Sequence, residues 1–184
     1  MSRILLDDTN TPASERSYQI PWIYDAHAYN MCNEMPERTI NVTEGDWKKE
    51  IGDLEEVESL YIMTDLEEKD YEIIGRMVNL KALYLYTARE LKDISFIKEL
   101  VKLKELLIHR SKVEDLTPIA DLRSRQDNPK PWERLMLVAI LRSEISDLSP
   151  LKDCTHFSEF LLVESKVSEE DELYKDLVTT YEKY

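Results

Sequence analysis

Three histidines, His27, His109 and His156, and two cysteines, Cys32 and Cys154, are the side chains in this chain best suited to metal binding or nucleophilic chemistry. Their spacing supports neither. Metal sites built from these residues draw ligands in closely spaced pairs, and no C-x-x-C, H-E-x-x-H or G-x-x-x-x-G-K-[ST] occurs. Asp25-Ala-His27 with Cys32 would supply a base and a nucleophile on paper, but no further residue orients them and local coincidence accounts for them better. With Gly45, Gly52 and Gly75 as the only glycines, no loop can cradle a phosphate. The sequence therefore predicts no catalytic residue, no metal and no cofactor. Asn41-Val-Thr43 is a glycosylation sequon, which matters only on secretion.

What remains is a chain of binding type, and its composition limits the partners. Twenty-four basic residues stand against 38 acidic ones, for a net charge of −14. Nucleic acid and anionic membrane surfaces would be repelled. The start, MSRILLDDTN, is too short in apolar residues for a signal h-region, and no stretch approaches the ~20 apolar residues of a span. The cytoplasm is the expected compartment. There a reduced Cys154 thiol, in the core slot that Leu122 fills one unit earlier, is favoured over a disulfide.

The elements that position the side chains are repeats. LKELLIHRSKVEDLTPIADL at 103–122 returns as LMLVAILRSEISDLSPLKDC at 135–154 and begins again as FSEFLLVESKV at 157–167. Val138→Phe160, Ile140→Leu162 and Ile145→Val167 are 22 apart, while Leu83→Leu106 and Leu60→Leu83 are 23 apart. A partial earlier unit begins near Arg38-Thr-Ile-Asn-Val42. In each unit L-x-[LI] alternates as a short strand with one side facing a core. Ser111, Ser143 and Ser165 then occupy one turn position, where a hydroxyl can satisfy backbone groups of the next coil. Asp-Leu-[TS]-Pro follows at Asp115 and Asp147, where Pro can open a helical turn whose inward face is Leu116, Ile119 and Leu122. Such a period predicts a stacked solenoid.

At these residues the chain resembles the bacterial leucine-rich repeats of the internalin type, over about residues 55–167. The family's Asn is Ser in three units and absent from the first two, and EEKDYEIIGRM at 67–77 looks like a longer helix in place of the Asp-Leu-x-Pro turn. The resemblance implies an α/β solenoid, with parallel strands on a concave face and short helices or turns on the convex one. Residues 1–37 form an N-terminal extension, flexible or covering, with an aromatic cluster at Trp22, Tyr24 and Tyr29. Residues 38–184 form one repeat domain: an N-terminal cap at 38–56, repeats at 57–167 and a C-terminal cap helix at 168–184. Trp47, Ile51 and Leu54 have helical spacing in the first cap. Ser168-Glu-Glu-Asp171 opens the second, whose apolar face is Leu173, Leu177, Val178 and Tyr181. Ten residues are inserted between Leu122 and Leu135, with Arg123, Arg125, Lys130 and Arg134 making the insertion basic; a solvated excursion is the preferred reading.

Alternation also defines the other side of the strands. Tyr61, Tyr84, Leu107, Ala139 and Leu161 point away from the core, followed by Met63, Tyr86, His109, Leu141 and Val163, and this stripe is expected to be a binding face in preference to one covered by the N-terminal segment. Thr64, Thr87, Arg110, Arg142 and Glu164 form a polar rim, while Lys81 and Glu105 are read as outside the stripe. An uncharged centre with a polar border suits a protein interface. The expected function is binding of an unidentified protein or peptide through Tyr61, Met63, Tyr84, Tyr86, Leu107, His109, Leu141 and Leu161, with Arg110 and Arg142 at the rim. The alternative is a structural protein that self-associates through the same stripe; a monomer is the preferred state.

Overall fold

The computed structural model describes residues 39–42, 48, 51–124, 137–154 and 159–178. The chain divides into two compact units, Met1–Met35 and Pro36–Tyr184, and every described residue lies in the second. Six strands, β1 (Thr39–Val42), β2 (Ser59–Ile62), β3 (Ala82–Leu85), β4 (Glu105–His109), β5 (Leu137–Leu141) and β6 (Glu159–Val163), form one sheet in chain order. All neighbours are parallel. The register is the one that the repeat spacing dictates. Leu60, Leu83, Leu106, Val138 and Phe160 align in one row, and Ile62, Leu85, Ile108, Ile140 and Leu162 in the next. The early partial unit is β1, which pairs Ile40 with Leu60 and Val42 with Ile62.

Both rows are buried, because each strand returns over the same side. The returns are α1 (Glu68–Ile74), a 3-10 turn at Ser95–Glu99, α2 (Thr117–Ser124) and a 3-10 turn at Ser149–Leu151. Tyr71, Ile74, Ile97, Ile119, Leu122 and Leu151 enter from these returns into a single apolar core with the two rows. Removing such side chains from water is the main favourable term for a coil that has few contacts beyond its neighbours. An aspartate opens most returns: Asp93, Asp115 and Asp147 Oδ1 accept from the backbone N–H of Ser95, Thr117 and Ser149 at 2.7, 2.8 and 2.8 Å. These N–H groups have no partner within the turn, and a carboxylate two residues back supplies one. The hydrogen bonds hold the Asp115 and Asp147 carboxyls below the usual range. Pro118 and Pro150 follow as the Asp-Leu-[TS]-Pro pattern requires. In the first unit α1 replaces that turn, as expected, but with seven residues it is shorter than α2 with eight. Gly75 ends it where a Cβ would lie 2.8 Å from the Phe96 carbonyl oxygen, so the next coil sits closer than any side chain allows.

Several details differ from the sequence expectation. The Ser111 and Ser143 hydroxyls make no hydrogen bond among the described residues, and the coils are joined there by backbone, from Ser111 N–H to the Arg142 carbonyl at 3.0 Å and from Ser143 N–H to the Glu164 carbonyl at 3.3 Å. A serine hydroxyl is shorter than the asparagine amide of the family pattern and falls short of the next coil. Ser165 Oγ instead accepts from Val167 N–H within its own turn. The final helix, α3 (Glu172–Leu177), starts later than Ser168 suggested, because Asp171 is its N-cap, accepting from Leu173 and Tyr174 N–H at 2.8 and 3.4 Å. Leu173, Tyr174 and Leu177 pack on the core, and the Tyr174 hydroxyl donates to the Leu162 carbonyl of β6 at 3.4 Å. Cys154 is half-buried rather than buried, and among the described residues it is in no disulfide. The extension at 1–37, the Trp47 turn of the first cap, the insertion from Arg125 to Leu135, Tyr181, Cys32, His27 and His156 lie outside the described residues. Among the described residues no helix is long and apolar enough to cross a membrane.

Candidate interaction face

Alternation along six aligned strands gives the sheet a second face. Tyr61, Tyr84, Leu107, Ala139 and Leu161 align in its central column. His109 and Leu141 pair in the next, with Tyr86 and Met63 just beyond the ends of β3 and β2. None of these belongs to the core cluster, to which every described helix contributes. The repeat spacing thus brings the expected site residues onto one surface.

Their exposure differs from the expectation. Tyr84 and Leu107 are each 1% exposed, and Tyr61, Tyr86, His109, Leu141 and Leu161 are also buried; only Met63 and Val163, at the ends, are half-buried. Part of the reason is packing within the face. The Tyr61 and Tyr84 rings stack at 4.8 Å with 11° between planes, and Tyr84 and Tyr86 lie 6.1 Å apart. Strands ~4.8 Å apart leave no room for water between such rings. Alternation shows which side a residue points to, and it cannot show whether that side is covered.

Glu105 was misassigned from sequence. It starts β4, pairs with Ala82 and Leu137, and is only 9% exposed, so it lies on this face and not outside it. Its carboxylate accepts a short hydrogen bond from the Tyr84 hydroxyl. Carrying the alternation two residues back from Leu107 finds it, together with the whole column Ser59, Ala82, Glu105, Leu137 and Glu159. Burial first, and the nearby Glu105 charge second, raise the Tyr61 and Tyr84 phenols well above their ordinary value. Both phenols are neutral donors at any ordinary pH. Lys81 does lie outside, in an ion pair with Glu58 at 2.8 Å.

At the rim, Arg110, Arg142 and Glu164 adopt left-handed backbone with φ of 58°, 55° and 53°. The conformation turns each strand out of the sheet at the same repeat position, and without glycine it costs about 1 kcal/mol or more per residue. Arg142 Nε meets Glu164 Oε2 at 2.7 Å, so the rim is held by an ion pair between consecutive coils. Among the described residues no cluster of His, Cys, Asp and Glu could hold a metal ion.

No family model matches the chain, and no curated protein does. Solved structures do. Internalin C2 from Listeria monocytogenes is 26% identical with a TM-score of 0.49, covering 66% of this chain and 48% of that one. The internalin InlF from the same species is 25% identical with a TM-score of 0.50, covering 66% and 33%. This chain thus matches less than half the length of either. The likeness to InlF falls on a chain whose strands already pair in parallel at offsets of 22 and 23 residues, Val138 with Phe160 and Leu83 with Leu106. With the Asp-Leu-[TS]-Pro returns, this gives the chain a leucine-rich repeat solenoid fold similar to that of the internalins.

Proposed function

We propose that this chain is a non-catalytic interaction module that binds a protein or peptide on the sheet face of Tyr61, Met63, Tyr84, Tyr86, Leu107, His109, Leu141 and Leu161, bordered by Arg110 and Arg142. One observation carries the reading: a continuous apolar and aromatic column on β2–β6 points away from the core, and every described helix packs on the other side. Parallel sheets are stable with both faces covered, so such a face is suited to lie beneath a second layer of protein. Aromatic side chains supply large contact area at low entropic cost. The module acts as a monomer, and a reducing cytoplasm suits a Cys154 that forms no disulfide among the described residues.

The test is affinity capture from the native cell with wild type and with Met63→Asn/Tyr86→Ala. Tyr86 is only 5% exposed, so the loss of partners counts only where the variant's far-UV circular dichroism matches that of wild type. Capture of the same partners by this variant, with loss of capture by variants of the 123–134 insertion, would move the site to the insertion.

A further inference from the structure

We propose that residues 17–36 of this same chain occupy the sheet face and must leave it before a partner binds; the proposal rests on the interaction face described above. The face is sealed from β2 to β6. Ser59 and Tyr84 are 0% and 1% exposed, and Leu137 and Ala139 are 2% and 0%. Stacking within the rows accounts for the middle of the sheet and not for its end. β6 is the last strand, so Leu161 has a row neighbour on one side only, the small Ala139, and yet it is 3% exposed. α3 follows β6 but does not supply the cover, because its Leu173, Tyr174 and Leu177 pack on the core. A leucine so placed keeps its water unless a further apolar layer lies on it.

Outside the described residues, the sequence holds one stretch with the composition for that layer. Residues 17–36, SYQIPWIYDAHAYNMCNEMP, carry two charges, Asp25 and Glu34, in a chain that is 34% charged, and they bring Tyr18, Ile20, Trp22, Ile23, Tyr24 and Tyr29 together. The ten-residue insertion after Leu122 is half as long and basic. Only Glu37 and Arg38 separate the stretch from Thr39, where β1 starts at the edge of the same sheet. Its 20 residues reach about 65 Å when extended, against ~19 Å across the four spacings from β2 to β6, so it is long enough to cross every row. An occupant tethered this closely meets the face at a high effective concentration. A partner's apparent affinity then falls by the fraction of molecules in which the face is open, and the extension sets the threshold for binding.

The experiment is hydroxyl-radical footprinting of the full chain, read by mass spectrometry at Tyr84, Leu107 and Leu161, with Met77, fully buried in the core, as internal control. Wild type is compared with Trp22→Asp/Tyr24→Asp and with the milder Ile20→Ala/Trp22→Ala. In the variants the three face residues are expected to be modified several-fold faster while Met77 stays protected. A synthetic peptide of residues 17–36, added to the aspartate variant, should restore protection where a scrambled peptide does not. Face residues as protected in both variants as in wild type would overturn the proposal. Modification of Met77 together with the face in both variants would overturn it too, since that reports unfolding of the repeats rather than uncovering of the face. Protection that disappears on dilution, with a dimer in sedimentation equilibrium, would make a second copy the occupant and would equally refute it. No capture from the native cell by wild type or by the uncovered variants would refute the interaction module and leave the occupant in place. A protected face in variants that capture as wild type does would refute the occupant alone.

Discussion

Leu106 and Leu107 are neighbours in β4 that point to opposite faces, and replacing each by alanine tests both faces at once. Leu106 is fully buried between Leu83 and Val138 in a row fixed by the strand ladder. The strands on either side cannot close in on the gap, so Leu106→Ala belongs in the upper part of the large-to-small range, about 3–5 kcal/mol. Leu107 is 1% exposed and stands between Tyr84 and Ala139. Alanine there would sit beside an existing alanine and leave a void against the tyrosine row, at a cost of about 2–4 kcal/mol. Val101, 39% exposed in a connecting turn, is the reference: Val101→Ala should stay within about 0.5 kcal/mol. Urea unfolding followed by circular dichroism resolves these differences, since the whole stability of such a domain is about 5–15 kcal/mol. Leu106→Ala as harmless as Val101→Ala would refute the register. Leu107→Ala as harmless as Val101→Ala would refute the burial of the second face while leaving the register intact.

Burial, aided by Asp65 and Asp70, pushes the Tyr71 phenol up to about 12, and Tyr61 and Tyr84 are raised further. A raised folded value means stability that is complete below pH ~10 and lost as pH climbs through the folded values. Absorbance at 295 nm should therefore show these phenolates appearing together with unfolding; free titration of all ten tyrosines near pH 10 in the folded protein would contradict the burial. Deleting residues 168–184 removes α3 and bares the apolar edge of β6, so light scattering should report aggregation; a monomer with unchanged melting temperature would show that the tail is no cap. Arg110→Asn, at φ 58°, should keep or raise the melting temperature, whereas Arg110→Val should destabilise by about 1–2 kcal/mol, because a β-branched residue fits left-handed backbone poorly. Equal effects of the two would argue against the left-handed turn.

The solenoid was legible in the sequence because each coil repeats one physical problem. The spacing of Leu83, Leu106, Val138 and Phe160 states which residues must meet, and the strand ladder pairs them so. The Asp-Leu-[TS]-Pro turns were legible for the same reason, although Pro was read as the opener and the structure shows the Asp115 and Asp147 carboxylates accepting the unpaired N–H two residues on. What lies across the coils was harder to read. Ser111 and Ser143 had the chemistry to bridge coils, but reach is a matter of ångströms, and the backbone makes the bond instead. Glu105 looked like a solvated charge on a short strand, and only the stacking of β3 on β4 brings the Tyr84 hydroxyl to it. A periodic sequence determines direction and register, because both follow from local geometry repeated along the chain. Burial of the second face and the environment of a charge depend on groups distant in sequence, so only the tertiary structure decided them.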